Sequence, residues 1–232
     1  MKLTPGKLSG LKKVSTERGI IAAAAMDQRG SLKKALAKDK GDLTDRDLEE
    51  FKSLVTEVLT PHASAILLDP EWGLPASKRR SRNAGLLLAY EKTGYDKTGP
   101  GRLPDLLDHW SARRLKEAGA DCVKILLYYT PFDPKEINDQ KHAWVERIGD
   151  ECRSNDIPFF LEFVGYEEDS RAEVDMNFVM TGAKKMVEVQ ATAEQKPFDH
   201  AQLQRMMELA RGGVEGLIAK QQAVLSNLLS RQ

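Results

Sequence analysis

Several features are missing from this chain, and each absence removes a class of function. There is no GxGxxG and no Walker A pattern, so neither a dinucleotide fold nor a P-loop is announced. No HExxH pair occurs, and His62, His109, His142 and His200 share no common spacing, so no zinc site is expected. Cysteine is scarce. Cys122 and Cys152 lack metal-ligand spacing and read as reduced cytosolic thiols rather than a disulfide framework. Neither sign of charge prevails, with Lys plus Arg 35 and Asp plus Glu 35, so binding to nucleic acid by bulk charge is not expected. The longest early apolar run, 19–26, is too short to cross a bilayer and follows no cleavable signal pattern. A soluble cytoplasmic chain without membrane contact is expected.

What is present is enough apolar material for a core: 41% of 232 residues are hydrophobic and 30% charged. From residue 19 to 164, short apolar runs alternate with polar helical stretches. The runs 19–26, 63–69, 85–90, 122–129 and 157–164 predict five strands. Helices are predicted over 43–59, with Thr44 as N-cap and Asp47 three residues on, over 103–119, stopped at Gly119, and over 135–155. Strands separated by helices imply right-handed crossovers and a parallel sheet. A (β/α) barrel and an open doubly wound sheet both fit this pattern. After Gly165 the pattern changes. The runs 174–181 and 186–192 predict an antiparallel hairpin, and 199–229 predicts one long helix interrupted at Gly212-Gly213.

Charges inside apolar strands are the main local clue. Strand side chains alternate, so Lys124, Leu126 and Tyr128 share a face, as do Phe160, Glu162 and Val164, and Ala23, Ala25 and Asp27. A buried charge costs several kcal/mol unless paired. If the three faces meet, one amine and two carboxylates share a cavity suited to proton transfer at the C-terminal strand ends. A structural ion pair between Lys124 and Glu162 is the plainer alternative. Directly after the first strand, Asp27-Gln28-Arg29-Gly30 forms a loop in which Arg29 and backbone donors could meet a phosphate, or which is simply a polar turn. Asp69 is expected to cap the turn after the second strand. The basic run 78–82 has no interleaved aromatic and reads as a solvated loop.

Six stretches carry a family resemblance: AAAAMDQRG (22–30), ILLDPEWGL (66–74), GLLLAYEKTGYD (85–96), RLPDLL (102–107), RLKEAGADCVKILLYY (114–129) and ERIGDECRSNDIPFFLEF (146–163). Over about residues 10–164 the chain resembles the class I tagatose 1,6-bisphosphate aldolases. That resemblance implies an α/β fold of (β/α)8-barrel type, here incomplete, with about five β/α units. It implies cleavage of a ketose 1,6-bisphosphate to dihydroxyacetone phosphate and glyceraldehyde 3-phosphate, without metal or other cofactor, through a lysine Schiff base. It places Asp27 and Gln28 along the substrate pocket, Lys124 beside the reacting carbons and Glu162 as the proton-transfer carboxylate. The family's Schiff-base lysine lies on a sixth strand resembling DVLKVEVP. Nothing of that form follows Val164, so impaired activity is expected.

The remainder resembles something else. YEEDSRAEVDMNFVMTGAKKMVEVQATAEQKPF (166–198) and the helix after it are similar to the C-terminal end of ribonuclease PH, a phosphorolytic 3′-to-5′ exoribonuclease of tRNA precursors. The resemblance places that family's two essential aspartates on Asp169 and Asp175 and implies Mg²⁺ and an RNA partner there. The expected organisation is an aldolase-type part, 1–165, and a hairpin-plus-helix part, 166–232, meeting near 163–168. Five strands cannot close an eight-strand barrel, so exposed edges and self-association are expected.

Overall fold

The computed structural model describes residues 3–166, 174–180, 185–193 and 197–229. The chain divides into two compact units, Met1–Tyr166 and Glu167–Gln232.

In the first unit five strands form one sheet: β1 (Ala23–Met26), β2 (Ala65–Leu68), β3 (Gly85–Ala89), β4 (Cys122–Tyr129) and β5 (Phe159–Gly165). Their spatial order is β1-β2-β3-β4-β5, and every neighbouring pair is parallel. This order separates the two architectures that periodicity leaves open. A doubly wound sheet reverses direction at a switch point. Here each strand adds on the same side of the last, so right-handed crossovers put all the connecting helices on one face. The first unit is therefore an α/β, barrel-type array of five strands.

The helices are α1 (Pro5–Val14), α2 (Gly30–Lys40), α3 (Asp45–Leu59), α4 (Leu74–Ser77), α5 (Ala112–Glu117) and α6 (Lys135–Ser154). Helix α3 starts at a capping box: Thr44 Oγ1 accepts from Asp47 N–H, and the Asp47 carboxylate accepts from Thr44 N–H. The main core lies between sheet and helices, with Ile66, Leu68, Leu86, Leu88, Val123 and Ile125 against Ala112, Leu115, Ile148 and Cys152. The opposite parity makes a smaller cluster of Val14, Ala65, Leu87 and Cys122. There α1 crosses the strands' N-terminal ends. Val14 C=O accepts from Ser64 Oγ, and Lys13 pairs with Asp121 at 2.8 Å. At the start of α1, Asp156 accepts from the Gly6 and Lys7 N–H groups and from the Thr4 hydroxyl.

Three sequence expectations need correction. The run 19–26 is not a buried strand: β1 starts only at Ala23 and is part-exposed, and Ile20 and Ile21 are exposed. An edge strand with a single described neighbour has less sheet to cover it. Second, 103–119 is not one helix. Residues 92–105 fold back, with Leu107 N–H donating to Tyr90 C=O and an antiparallel bridge between Glu91 and Leu106. Pro104 bars helix from Leu103, His109 adopts φ 64°, and α5 begins only where Ser111 caps the Arg114 N–H. Third, the C-terminal helix runs unbroken through Gly212-Gly213. Glycine costs a helix about 1 kcal/mol relative to alanine without being obliged to end it.

The second unit holds β6 (Val174–Met180), β7 (Met186–Ala193) and α7 (His200–Leu229). The two strands pair antiparallel from Val174↔Ala193 to Val179↔Glu188 and slip in register next to Met180. Helix α7 packs against β6. No helix among the described residues is long and apolar enough to cross a membrane.

Cys122 and Cys152 are free and buried, and burial pushes both thiols up to about 12. Neither is expected to be alkylated by iodoacetamide in the native chain at mildly alkaline pH, since thiolate is the reacting form. Mass spectrometry before and after urea denaturation checks this; rapid native labelling would show that one thiol is accessible.

Candidate functional site

The interior parity of the sheet carries the site. Ala89 on β3 is in register with Lys124 on β4, and Lys124 with Phe160 on β5. Two residues beyond Ala89 and Phe160 come Glu91 and Glu162. Asp27 follows the last residue of β1. Asp27 and Glu91 lie just past the C-terminal ends of β1 and β3, but Lys124 is the third residue of β4 and Glu162 the fourth of β5, so the cluster reaches into the sheet instead of sitting only at the C-terminal strand ends that the sequence suggests.

Lys124 is the hub. Its Nζ lies 2.8 Å from Asp27 Oδ2, 3.1 Å from Glu91 Oε1 and 2.9 Å from Glu162 Oε2. An ammonium has three protons, and three carboxylates take them. The Lys124 side chain is 6% exposed and Glu91 7%, whereas Glu162 is 53% exposed and open to solvent. Burial by itself would lower the Lys124 pKa. Glu91 and Asp27, with hydrogen bonds to Asp27 and Glu162, outweigh it and hold the ammonium well above the ordinary lysine range. Burial dominates at Glu91 and raises its carboxyl, with Lys124 offsetting only part. Lys124 is therefore a fixed positive charge. A nucleophilic lysine needs a neutral amine.

Arg29 is buried. Its Nη1 reaches Glu71 at 3.1 Å, and its Nη2 donates to the Glu91 carbonyl at 2.8 Å. Its Nη2 is 3.9 Å from Glu91 Oε1, and both Arg29 Nε and Glu91 Oε2 are buried without a hydrogen-bond partner. The Arg29 guanidinium thus holds the β3 end while retaining one unused donor. Gln28 is exposed, and its carbonyl accepts from Lys52.

The structure brings Asp27, Lys124 and Glu162 together and places Arg29 beside them through Glu91. Sequence reasoning missed Glu91. The signal was present: Leu87, Ala89 and Glu91 keep the interior parity that singled out Lys124 and Glu162. It also missed Lys52. Asp69 does cap its turn, accepting from Trp72 N–H at 3.2 Å, but its other oxygen meets Lys52 Nζ at 2.6 Å with both side chains fully buried. Burial pushes that lysine down and that carboxyl up.

Of the ribonuclease-like pair, Asp169 lies outside the described residues. Asp175 has a described backbone, on β6 opposite Thr192. Among the described residues no group of three or more His, Cys, Asp or Glu is placed to hold a metal ion.

Comparison with known proteins bears on this site. The DeoC/LacD family aldolase profile matches residues 21–192. Tagatose 1,6-diphosphate aldolase 2 of Enterococcus faecalis is 52% identical over 189 residues, covering 82% of this chain and 57% of that protein. Tagatose 1,6-diphosphate aldolase of Listeria monocytogenes is 58% identical over 167 residues, covering 72% and 49%. Tagatose 1,6-diphosphate aldolase 1 of Streptococcus mutans is 45% identical over 237 residues, covering 100% and 73%. The chain thus spans about half the length of the first two relatives. The profile runs past 163–168, and these matches lend no support to the ribonuclease resemblance. A profile match over 21–192, together with relatives at 45–58% identity, places this chain in the DeoC/LacD aldolase family.

Proposed function

We propose that this site is the proton-handling half of a class I ketose 1,6-bisphosphate aldolase, of the kind that cleaves tagatose 1,6-bisphosphate to dihydroxyacetone phosphate and glyceraldehyde 3-phosphate. The observation that carries the reading is the Lys124 ammonium held by Asp27, Glu91 and Glu162 on the interior face of the sheet.

The chemistry follows from the geometry. In the cleavage the C3–C4 bond breaks, the C4 hydroxyl gives up its proton, and the electron pair passes toward C2. Glu162 is the accessible carboxylate of the cluster and takes that proton. Lys124 pairs with Glu162 at 2.9 Å, and its fixed positive charge can stabilise an oxygen on which charge develops. Asp27 and Glu91 keep Lys124 charged. On this reading the exposed Gln28 loop is the segment that meets a phosphate end of the sugar, with the buried Arg29 behind it. The reaction so drawn uses no metal.

The electron sink at C2 is a lysine imine in this class of aldolase. Lys124 does not supply it, because its amine is tied up as an ammonium. Lys52 and Lys141, the fully buried lysines among the described residues, are likewise each paired with a carboxylate. Cleavage by this chain alone is therefore expected to be weak.

Two measurements check the reading. Titration with a ketose 1,6-bisphosphate is expected to displace the Lys124 ζ-nitrogen resonance, while inorganic sulfate leaves it in place. A bisphosphate without effect on that resonance sinks the proposal. Borohydride reduction with dihydroxyacetone phosphate is expected to leave Lys124 unmodified; a reduced adduct on Lys124 would make it the nucleophile after all.

A further inference from the structure

Asp27 poses a problem of placement. β1 is only four residues long, lies at the edge of the sheet, and its ladder ends with Met26↔Leu68. Asp27 is one residue beyond the last pair, so the ladder does not fix it. Yet its carboxylate meets Lys124, on β4, at 2.8 Å.

Lys52 supplies the missing constraint. It sits on α3 and is fully buried. Its Nζ donates to Met26 C=O at 2.8 Å, to Gln28 C=O at 2.8 Å and to Asp69 Oδ2 at 2.6 Å. Three ammonium protons meet three acceptors. The first two are the carbonyls on either side of Asp27. The third belongs to a residue that is itself anchored: Asp69 Oδ1 accepts from Trp72 N–H, and its carbonyl from Gly73 N–H at 3.0 Å. One cation thereby ties the end of β1 to the end of β2.

Stability alone does not account for a lysine at this position. A buried ion pair gains little over apolar residues of similar volume. What a methionine cannot provide is a donor for two carbonyls that bracket one side chain. We infer that Lys52 is a positioning residue, clamping the backbone on both sides of Asp27 so that its carboxylate is presented to Lys124. Its importance for catalysis rests on the aldolase reading above; the clamp itself is tested without substrate.

The test is lysine ζ-nitrogen NMR on the full chain. Lys141 is the internal control: it is equally buried, on α6, and pairs with Asp133 at 2.7 Å and the Tyr166 hydroxyl at 2.8 Å. In Lys52→Met the Lys124 resonance is expected to move while that of Lys141 stays. In Asp69→Asn, which spares both carbonyl bonds, the Lys124 resonance is expected to stay. A purely structural role predicts lower stability in both variants with Lys124 unmoved, and that result overturns the inference. Loss of both signals in Lys52→Met would mean that the variant has unfolded, and Lys52→Arg then decides. Its planar fork keeps the charge but cannot reproduce three convergent bonds. A displaced Lys124 with Lys141 unchanged supports the clamp, and an undisturbed Lys124 refutes it. Because no substrate is added, absence of aldolase activity leaves the outcome readable.

Discussion

Lys124→Met is expected to destabilise the chain by about 3–5 kcal/mol near pH 8, the cost of stranding buried carboxylates by removing their partner. Asp27 and Glu91 are the residues that suffer, since Glu162 is half exposed and water can solvate it. The loss is expected to depend on pH, with a definite sign. Glu91 is already raised by burial, with Lys124 offsetting part of that rise. Without Lys124 it rises further, so the folded state binds more protons than the unfolded state above the ordinary carboxylate range. Stability then falls as pH increases through that window. Lowering pH toward about 4.3, the ordinary glutamate value, protonates both states and removes the penalty. Urea denaturation of wild type and variant at several pH values checks this: the gap should be widest near pH 8 and shrink toward about pH 4–5. A gap independent of pH would show that lost packing, not stranded charge, is responsible. Adding Glu91→Gln to the variant is expected to recover part of the loss at pH 8.

Gly10→Ala is expected to cost about 1–3 kcal/mol, the range for overpacking a filled core, although alanine ordinarily favours a helix. A Cβ at residue 10 would lie 2.4 Å from the Asp121 carbonyl oxygen and 2.8 Å from Pro158 Cδ. A backbone carbonyl and a proline ring cannot rotate aside, so α1 must lift from the sheet. That movement pulls at Val14, which is packed with Ala65, Leu87 and Cys122. Gly30→Ala is the control, because nothing lies within 4 Å of its would-be Cβ. Denaturation midpoints compare the two. If Gly10→Ala matches wild type, α1 has room to adjust and does not seal the strand ends as tightly as described.

How much of the site was legible in the sequence depends on the range of the interaction involved. Strand alternation is local, so it put Lys124 and Glu162 on interior faces. The same rule reaches Glu91, but only when the apolar run 85–90 is extended by one residue. Thr44 with Asp47, and Gly119 as a helix stop, are contacts within one turn, and both stand in the structure. Lys52 gave no signal. It sits in an amphipathic helix among other charges, and its three acceptors come from the ends of two strands far away in sequence. Leu103–Gly119 misled because helical spacing there is overridden by antiparallel pairing of residues 105–107 with residues 90–92, just past β3.

The sequence by itself determined the strands within 63–69, 85–90, 122–129 and 157–164, the helix over 135–155 and which charges sit on the inward parity, because those properties are set by neighbours a few positions apart. Only the tertiary structure decided that the sheet runs in sequential order, that three carboxylates converge on Lys124, and that Lys52 grips the peptide around Asp27. Such facts depend on which strand ends become neighbours in space, and hydrophobic periodicity is blind to that.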